Sequence, residues 1–385
     1  MSILSPVELA NGGEALAASY QGGFSGSDLL TLGLEEELIL VDPVSLEPAE
    51  EIELLLGAVS GTRFEAELRT SQVELVMPVS LSAADLAHEL ALARATLVEG
   101  LDGRVRLLAA GTHPVATGAV RITDRPRYRR IASEYGWVTR RGMPSGLHVH
   151  VGIGDADEAI AIYNAARGYL PELAALGANS PFFEAGDSSL ASSRLKLVED
   201  LPRAGIPPSF ASWRELAGFV SWGAAAKLFP DLTYLWWDLR PRPDLGTIEF
   251  RVADAQTPVE HTAALVAICQ SLVASLRLRY RESGQLPTHP THVIAENRWR
   301  AVRDGLEGEL VDPLTGEPEP ARARIAGMLR ELEPFAAELG CAAELECAWP
   351  MLVRNGANRQ REIAAGRGLP GLLAWLVDET ERSSL

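Results

Sequence analysis

Lysine is almost missing from this chain. Lys196 and Lys227 stand against 33 arginines, and neither follows a glycine. That excludes a phosphate-binding loop of the form GxxxxGK[ST]. No GxGxxG follows a strand pattern, so the other common sequence-readable nucleotide cradle is absent too. Cysteine is scarce: Cys269, Cys341 and Cys347 have no metal-type pair spacing and make no even disulfide framework. Free thiols in a reducing cytoplasm are the expectation. No apolar run approaches the ~20 residues of a membrane-spanning helix. The longest stretch, Thr262 to Leu276, contains Gln270 and Ser271 and runs into Arg277. Residues 1–28 lack both Lys and Arg and have no compact apolar centre, unlike a secretory signal.

Positive charge is also in deficit. With 52 acids against 35 bases the net charge is −17, which repels phosphate backbones and anionic lipid. The expected partners are therefore small molecules, not nucleic acid or membrane. An anion such as a nucleotide would have to be met by clustered arginines or bound cations. What the chain does have is length: 385 residues, 47% of them hydrophobic, are enough to bury a large core.

Residues 1–28 are rich in Gly, Ala and Ser and read as a flexible N-terminal tail, leaving 29–385 as one domain. Leu30 to Val41 alternates as a strand, as does Phe64 to Met77, which ends at Pro78. Ser82-Ala-Ala-Asp85 resembles a capping box and opens a helix to about Glu99. Arg104 to Ala110 and Leu147 to Ile153 read as strands, with a helix over Pro126 to Tyr135 between them. Asp155 can cap a further helix, which Pro171 bends or restarts. Residues 180–212 carry Pro, Gly and Ser without periodicity, which suggests an active-site lid or an excursion with short elements of its own. Two strands, Leu235 to Leu239 and Thr247 to Val252, flank a Pro-Arg-Pro-Asp-Leu-Gly turn. The remainder is helical, over 259–280, 294–306, 321–339 and 364–381. The fold class is α+β, an antiparallel-rich sheet backed by helices.

The strands carry the chemistry. Period-two alternation puts Glu35 and Glu37 on one face of the first strand and leaves Glu36 with Leu34 and Leu38. His148 and His150 share a face, as do Glu249 and Arg251. The second strand region offers Glu67 and Glu74, an odd number of residues apart, so sharing a face requires a bulge or kink near Thr70. A solvated sheet face accounts for any one of these strands. Taken together they collect five carboxylates and an imidazole (Glu35, Glu37, Glu67, Glu74, Glu249 and His148), which repel one another unless cations lie between them. Such donors suit Mg²⁺ or Mn²⁺, and Arg240, Arg242 and Arg251 offer fork-shaped phosphate contacts. Arg194 reaches a carboxylate or phosphate, or is simply a surface arginine. His113 lines the pocket or closes a turn; Trp236 and Trp237 stack on a base or pack in the core. Asn297, Arg300 and Arg303 fit structural roles on a helix.

The segments LGLEEELILVDP (32–43), ELRTSQVELVMP (67–78), SGLHVHVGI (145–153) and WWDLRPRPDLGTIEFRVADAQT (236–257) resemble the glutamate–cysteine ligase type 2 family, the YbdK-like carboxylate–amine ligases. AAGTHP, ANSPFF and ENRWRAVRDG follow the same order, so the likeness runs from about residue 30 to the C-terminal region. The resemblance extends to the wider glutamine synthetase-like superfamily. It implies a curved antiparallel sheet forming a funnel, ATP and Mg²⁺ (or Mn²⁺) as cofactors, and a homodimer. It implies that Glu37, Glu67 and Glu74 hold one divalent ion and that Glu35, His148 and Glu249 hold a second. His150 and Arg251 would then act near the transferred phosphoryl group. The implied activity joins a carboxylate, such as that of glutamate, to an amine, such as that of cysteine. A phosphotransferase on the same scaffold and a catalytically silent ATP-binding protein are the alternatives.

Overall fold

The computed structural model describes residues 6–26, 29–59 and 63–382. Its centre is an open antiparallel sheet of seven strands: β1 (Leu32–Val41), β2 (Phe64–Ala66), β3 (Gln72–Val76), β4 (Arg106–Leu108), β5 (Leu147–Gly152), β6 (Leu239–Arg242) and β7 (Thr247–Phe250). The order is β6-β7-β5-β1-β3-β2, and β4 pairs with the far half of β1 beyond β5. β6 and β2 form the two ends and do not pair, so the sheet is not a closed barrel.

Alternation sorts the two faces. Leu34, Leu38, Val73, Leu75, Leu147, Val149, Ile248 and Phe250 are all buried on one side. The helices Ala83–Leu101 and Val259–Ser283 cover that side. Helix Val259–Ser283 is long and apolar enough to cross a membrane. Here it is a core helix, with 89% of its most apolar stretch buried against the sheet and outer helices. Glu36 also points into this core, where its exposure is zero. It is met there by Arg94, which donates from Nε (3.0 Å) and Nη2 (2.8 Å) and also binds the carbonyls of Gln256 and Thr257. Thr262 Oγ1 donates a further bond to Glu36.

Three expectations change. Residues Pro6–Phe24 form a helix packed on helix Trp213–Ala225, with Phe24 fully buried, so this segment is not a loose tail. Its apolar residues, among them Ala17, Tyr20 and Phe24, find a partner surface that composition does not reveal; residues 1–5 and 27–28 lie outside the described residues. The second strand region is not one kinked strand but a hairpin, β2 folding back on β3 with Glu65 opposite Glu74. The reversal spans 67–71, and it removes the odd-spacing problem for Glu67. The C-terminal helix is longer than expected, Gly356–Arg382, and is interrupted at Gly368, whose φ of 67° is left-handed.

Segment 180–212 has short elements of its own, including helix Ser193–Glu199, capped by Ser192. The segment is anchored: Ser180 Oγ donates to Asp254 Oδ2 (2.7 Å) and Ser192 Oγ to Asp254 Oδ1 (2.8 Å).

Candidate active site

Strand register builds the polar face in three ranks. In the first, Glu65, Glu74 and Glu37 lie across β2, β3 and β1. The second pairs Glu35 on β1 with His148 on β5, and Arg251 follows directly after β7 beside them. The third runs Gly33, His150, Glu249 and Arg240 across β1, β5, β7 and β6. A Cβ on Gly33 would come within 3.2 Å of the His150 Cβ, so a side chain there would press on the ring.

The Nδ1 atom of each histidine is anchored. His148 Nδ1 is hydrogen-bonded to Glu35 Oε2 (3.0 Å) and His150 Nδ1 to Thr247 Oγ1 (3.0 Å). His150 Nε2 is buried 3.3 Å from Glu35 Oε1, and His148 Nε2 is buried without a hydrogen bond, 3.8 Å from Glu37 Oε1. Burial, with Arg251 adding to it, lowers the His148 pKa to about 4, so the ring is neutral at pH 7. A neutral imidazole keeps one ring nitrogen lone pair free for a metal, and His148 Nδ1 lies 3.0 Å from Glu35 and 3.9 Å from Glu74. Two sets of donor atoms lie within 4.8 Å of one another: Glu35, Glu74 and His148, and Glu35, His150 and Glu249. These donors fit hard divalent cations.

The carboxylates divide by environment. Burial works against the charge of Glu35, but bonds to His148 and His150 outweigh it and hold the pKa below the usual range. Glu249 is buried too, yet Arg240 and Arg251 keep it ionised; Arg240 donates from Nε (2.8 Å) and Nη2 (3.0 Å). For Glu37 and Glu74 the nearby arginines do not offset burial. Burial, reinforced by repulsion from Glu67, raises Glu37 to about 7, and burial with repulsion from Glu67, Glu35 and Glu37 pushes Glu74 well up. Glu37 does accept a bond from the Gly146 N–H (2.6 Å). Burial raises Glu67 as well, despite the bond it accepts from the Leu68 N–H (2.6 Å). Repulsion and desolvation of this kind are relieved by a bound cation.

All six candidate metal ligands, together with His150 and Arg251, thus converge on one face. Their grouping differs from that implied by the resemblance, because His150 stands with Glu35 and Glu249. Arg240 is committed to Glu249 and to the carbonyls of Thr233 and Leu235. Arg242 forms a paired bond with Asp244 (3.0 and 2.7 Å). Arg194 is buried, not a surface residue, and binds the carbonyl of Arg251 (3.0 Å). It crowds Gly146, where a Cβ would lie 2.1 Å from its Nη2.

His113 closes a turn, its Nδ1 accepting from the Ala116 N–H (3.1 Å) and its Nε2 bonded to the Leu46 carbonyl (2.8 Å). Trp237 is buried among Phe210 and Phe219. Trp236 is half-buried and lines the site. Asn297 is structural, bonded twice to the backbone of Val311.

Sequence reasoning missed Glu65, Arg69, Arg127 and Tyr128, which line the cavities around this face. The Glu65-x-Glu67-x-Arg69 alternation was a readable signal; Arg127 and Tyr128 arrive from a distant helix and had none. Two cavities open from the face, sharing Glu67, His148, Trp236 and Arg251. The one of about 360 Å³ holds Glu35, Glu74, Arg127 and Arg242, and the one of about 100 Å³ holds Glu37, Arg69 and Arg194.

The chain is similar to several known proteins. A Rubrobacter xylanophilus protein named "Putative glutamate--cysteine ligase 2-3" is 40% identical over 366 residues, covering 93% of this chain and 99% of its own. A Gloeobacter violaceus protein named "Putative glutamate--cysteine ligase 2" is 38% identical, covering 92% and 97%. Among solved structures, Francisella tularensis glutamate–cysteine ligase in complex with AMP superposes with a TM-score of 0.68 at 12% identity, over 94% of this chain and 89% of that one. The bifunctional glutathione synthetase of Pasteurella multocida gives 0.62 at 15% identity, over 96% and 54%. At these identities the structures speak for the fold. Residues 31–371 match the family described as glutamate-cysteine ligase family 2, and the chain belongs to that family.

Proposed function

We propose that this protein is an ATP-dependent, ADP-forming carboxylate–amine ligase, with glutamate and cysteine as the pair its relatives' names suggest. A carboxylate oxygen attacks the γ-phosphorus of ATP, the bond to ADP breaks, and an acyl phosphate forms. The amine nitrogen then attacks the acyl carbon; phosphate leaves, a proton is released, and the amide remains. The observation that carries this reading is the convergence of Glu35, Glu74, Glu249, His148 and His150, whose ligand atoms lie within 4.8 Å of one another in two sets, with the buried His148 Nε2 left without a hydrogen bond.

Glu35, Glu74 and His148 would hold one Mg²⁺ or Mn²⁺, and Glu35, His150 and Glu249 another, with Glu37 and Glu67 beside them. Bound there, the ions would offset the charge between the carboxylate and the γ-phosphate. Arg251 lies against His148 and Glu249, where it can steady the transferring phosphoryl group. Arg242, on the wider cavity, supports the nucleotide phosphates. Segment 180–212 supplies a wall of the narrower cavity through Arg194, Leu195, Leu197, Val198 and Leu201, and acts as the cover that keeps water from the acyl phosphate. A cytoplasmic homodimer completes the reading.

The test is ADP release from Mg·ATP with glutamate and a panel of amines that includes cysteine, with products analysed by mass. The expected product has the mass of acid plus amine minus water, forms with one ADP, and is lost in Glu35→Ala. ADP formed with a phosphorylated acid and no amide would instead support the phosphotransferase.

A further inference from the structure

Away from the polar face, helix Ala321–Leu339 packs beside helix Leu170–Leu176 but leaves a gap. Ala323, Gly327 and Glu331 recur at every fourth residue on one side of it, and Ala165, Gly168 and Glu172 stand on the other. Together they line a cavity of about 280 Å³ that shares no residue with the two cavities of the polar face. Glycine weakens the interior of a helix. A Cβ on Gly327 would meet nothing within 4 Å, so close packing is not what keeps that position small.

The wall is acidic. Glu172, Glu319 and Glu331 share it with one guanidinium, Arg324, whose Nε donates to Glu172 Oε1. Glu172 is 3% exposed, and its Oε2 has no hydrogen-bond partner. Burial holds the Glu172 carboxyl above its ordinary range in spite of Arg324, and Glu319 adds repulsion. A buried carboxylate answered at one oxygen only is relieved by a further cationic donor. His289, on the same wall, does not supply it, because burial and Arg324 lower its pKa.

A metal ion fits poorly. Among the described residues, the acid and imidazole groups close enough to share an ion are those on the sheet, and none is here. The cavity has the size of a small organic molecule, and Tyr169 and Met328 add an aromatic ring and an apolar chain to its wall. Carboxylate for charge, with aromatic and apolar surface for carbon, is the lining that suits an alkylammonium.

We propose that this cavity binds a small organic ammonium ion, its nitrogen at Glu172 Oε2 and its carbon chain along Gly327, Met328 and Tyr169. The site is separate from the carboxylate cluster on the sheet, so it stands or falls independently of the ligase reading.

The experiment is titration calorimetry of the full chain, without ATP or divalent metal, using n-butylammonium chloride. Like a lysine side chain, this probe stays charged at pH 7. Saturable binding to one site is expected, weakened at least ~tenfold in Glu172→Gln and abolished in Gly327→Leu, whose side chain fills the cavity. Gly327→Leu leaves the Glu172–Arg324 pair in place and has open space at its Cβ, which favours folding and keeps the test independent of that pair. Neutral 1-butanol should bind at least ~tenfold more weakly than n-butylammonium. Absence of saturable binding to the unsubstituted chain overturns the site. Unchanged affinity in Gly327→Leu places the ligand elsewhere and overturns it too, and 1-butanol binding as tightly overturns recognition of the charge.

Discussion

Glu36 and its neighbours Glu35 and Glu37 are adjacent on one strand, but each face of the sheet treats its carboxylates differently. On the core face Glu36 is fully buried and fully answered: Arg94 and Thr262 supply donors to both of its oxygens. On the other face Glu35, Glu37 and Glu74 crowd one another, and the buried His148 Nε2 beside them has no hydrogen bond. A satisfied buried charge ties elements together. A cluster left unsatisfied after folding marks where a ligand completes the structure.

Removing one carboxylate from each face breaks the comparison most directly. Glu36→Ala leaves Arg94 buried without its counter-charge and should destabilise the protein by about 3–5 kcal/mol, read by chemical denaturation. Replacing both partners, Glu36→Leu with Arg94→Met, should recover most of that loss. Glu35→Ala should act in the opposite sense on the two readouts. Turnover should fall by more than the ~10–100-fold typical of outer-shell changes at metal sites, while metal-free stability changes far less than in Glu36→Ala. Equal loss of stability in the two variants would remove the distinction between the faces.

Acid sharpens the same contrast. Glu37 has its folded-state pKa raised to about 7, and Glu74 and Glu67 are raised as well. A carboxyl with a raised folded pKa favours the folded state while protonated, and that contribution is lost as pH rises through the folded value. Metal-free protein should therefore lose stability between about pH 4.5 and pH 7 on account of these groups. Mg²⁺ or Mn²⁺, which bind the ionised forms, should raise Tm more at pH 8 than at pH 5, with protons released on binding. A Tm gain from metal that is the same at both pH values would sink this account.

Much of this was legible because strand alternation is a strict period. Glu35 and Glu37, His148 and His150, and Glu249 and Arg251 could be placed on shared faces without knowing how the strands pair. The partner of Glu36 could not be read, since Arg94 lies 58 positions away on a helix whose packing only the tertiary fold decides. The hairpin at 67–71 was missed for a local reason: Arg69-Thr70-Ser71-Gln72 has no Gly, Pro or Asn to announce a reversal. The helix Pro6–Phe24 was missed because its Gly- and Ala-rich composition gains its order from packing on helix Trp213–Ala225. Arg240 shows the limit of residue type: a phosphate contact and a carboxylate clamp look the same in sequence, and here the guanidinium is spent on Glu249.

The smallest effect separates Arg242 from Arg240. Arg240 and Glu249 are both buried, so Arg240→Ala should cost stability much as Glu36→Ala does. Arg242 pairs mainly with Asp244, whose side chain is 58% exposed, and lies farther from Glu249, at 3.8 Å. Exposed pairs of this kind contribute about 0–1 kcal/mol. Arg242→Ala should therefore leave Tm nearly unchanged, yet raise KM for ATP severalfold by removing a fork-shaped contact from the wider cavity. A variant with wild-type KM for ATP would show that Arg242 serves only its turn, and would return the phosphate-binding role to Arg251 and Arg127.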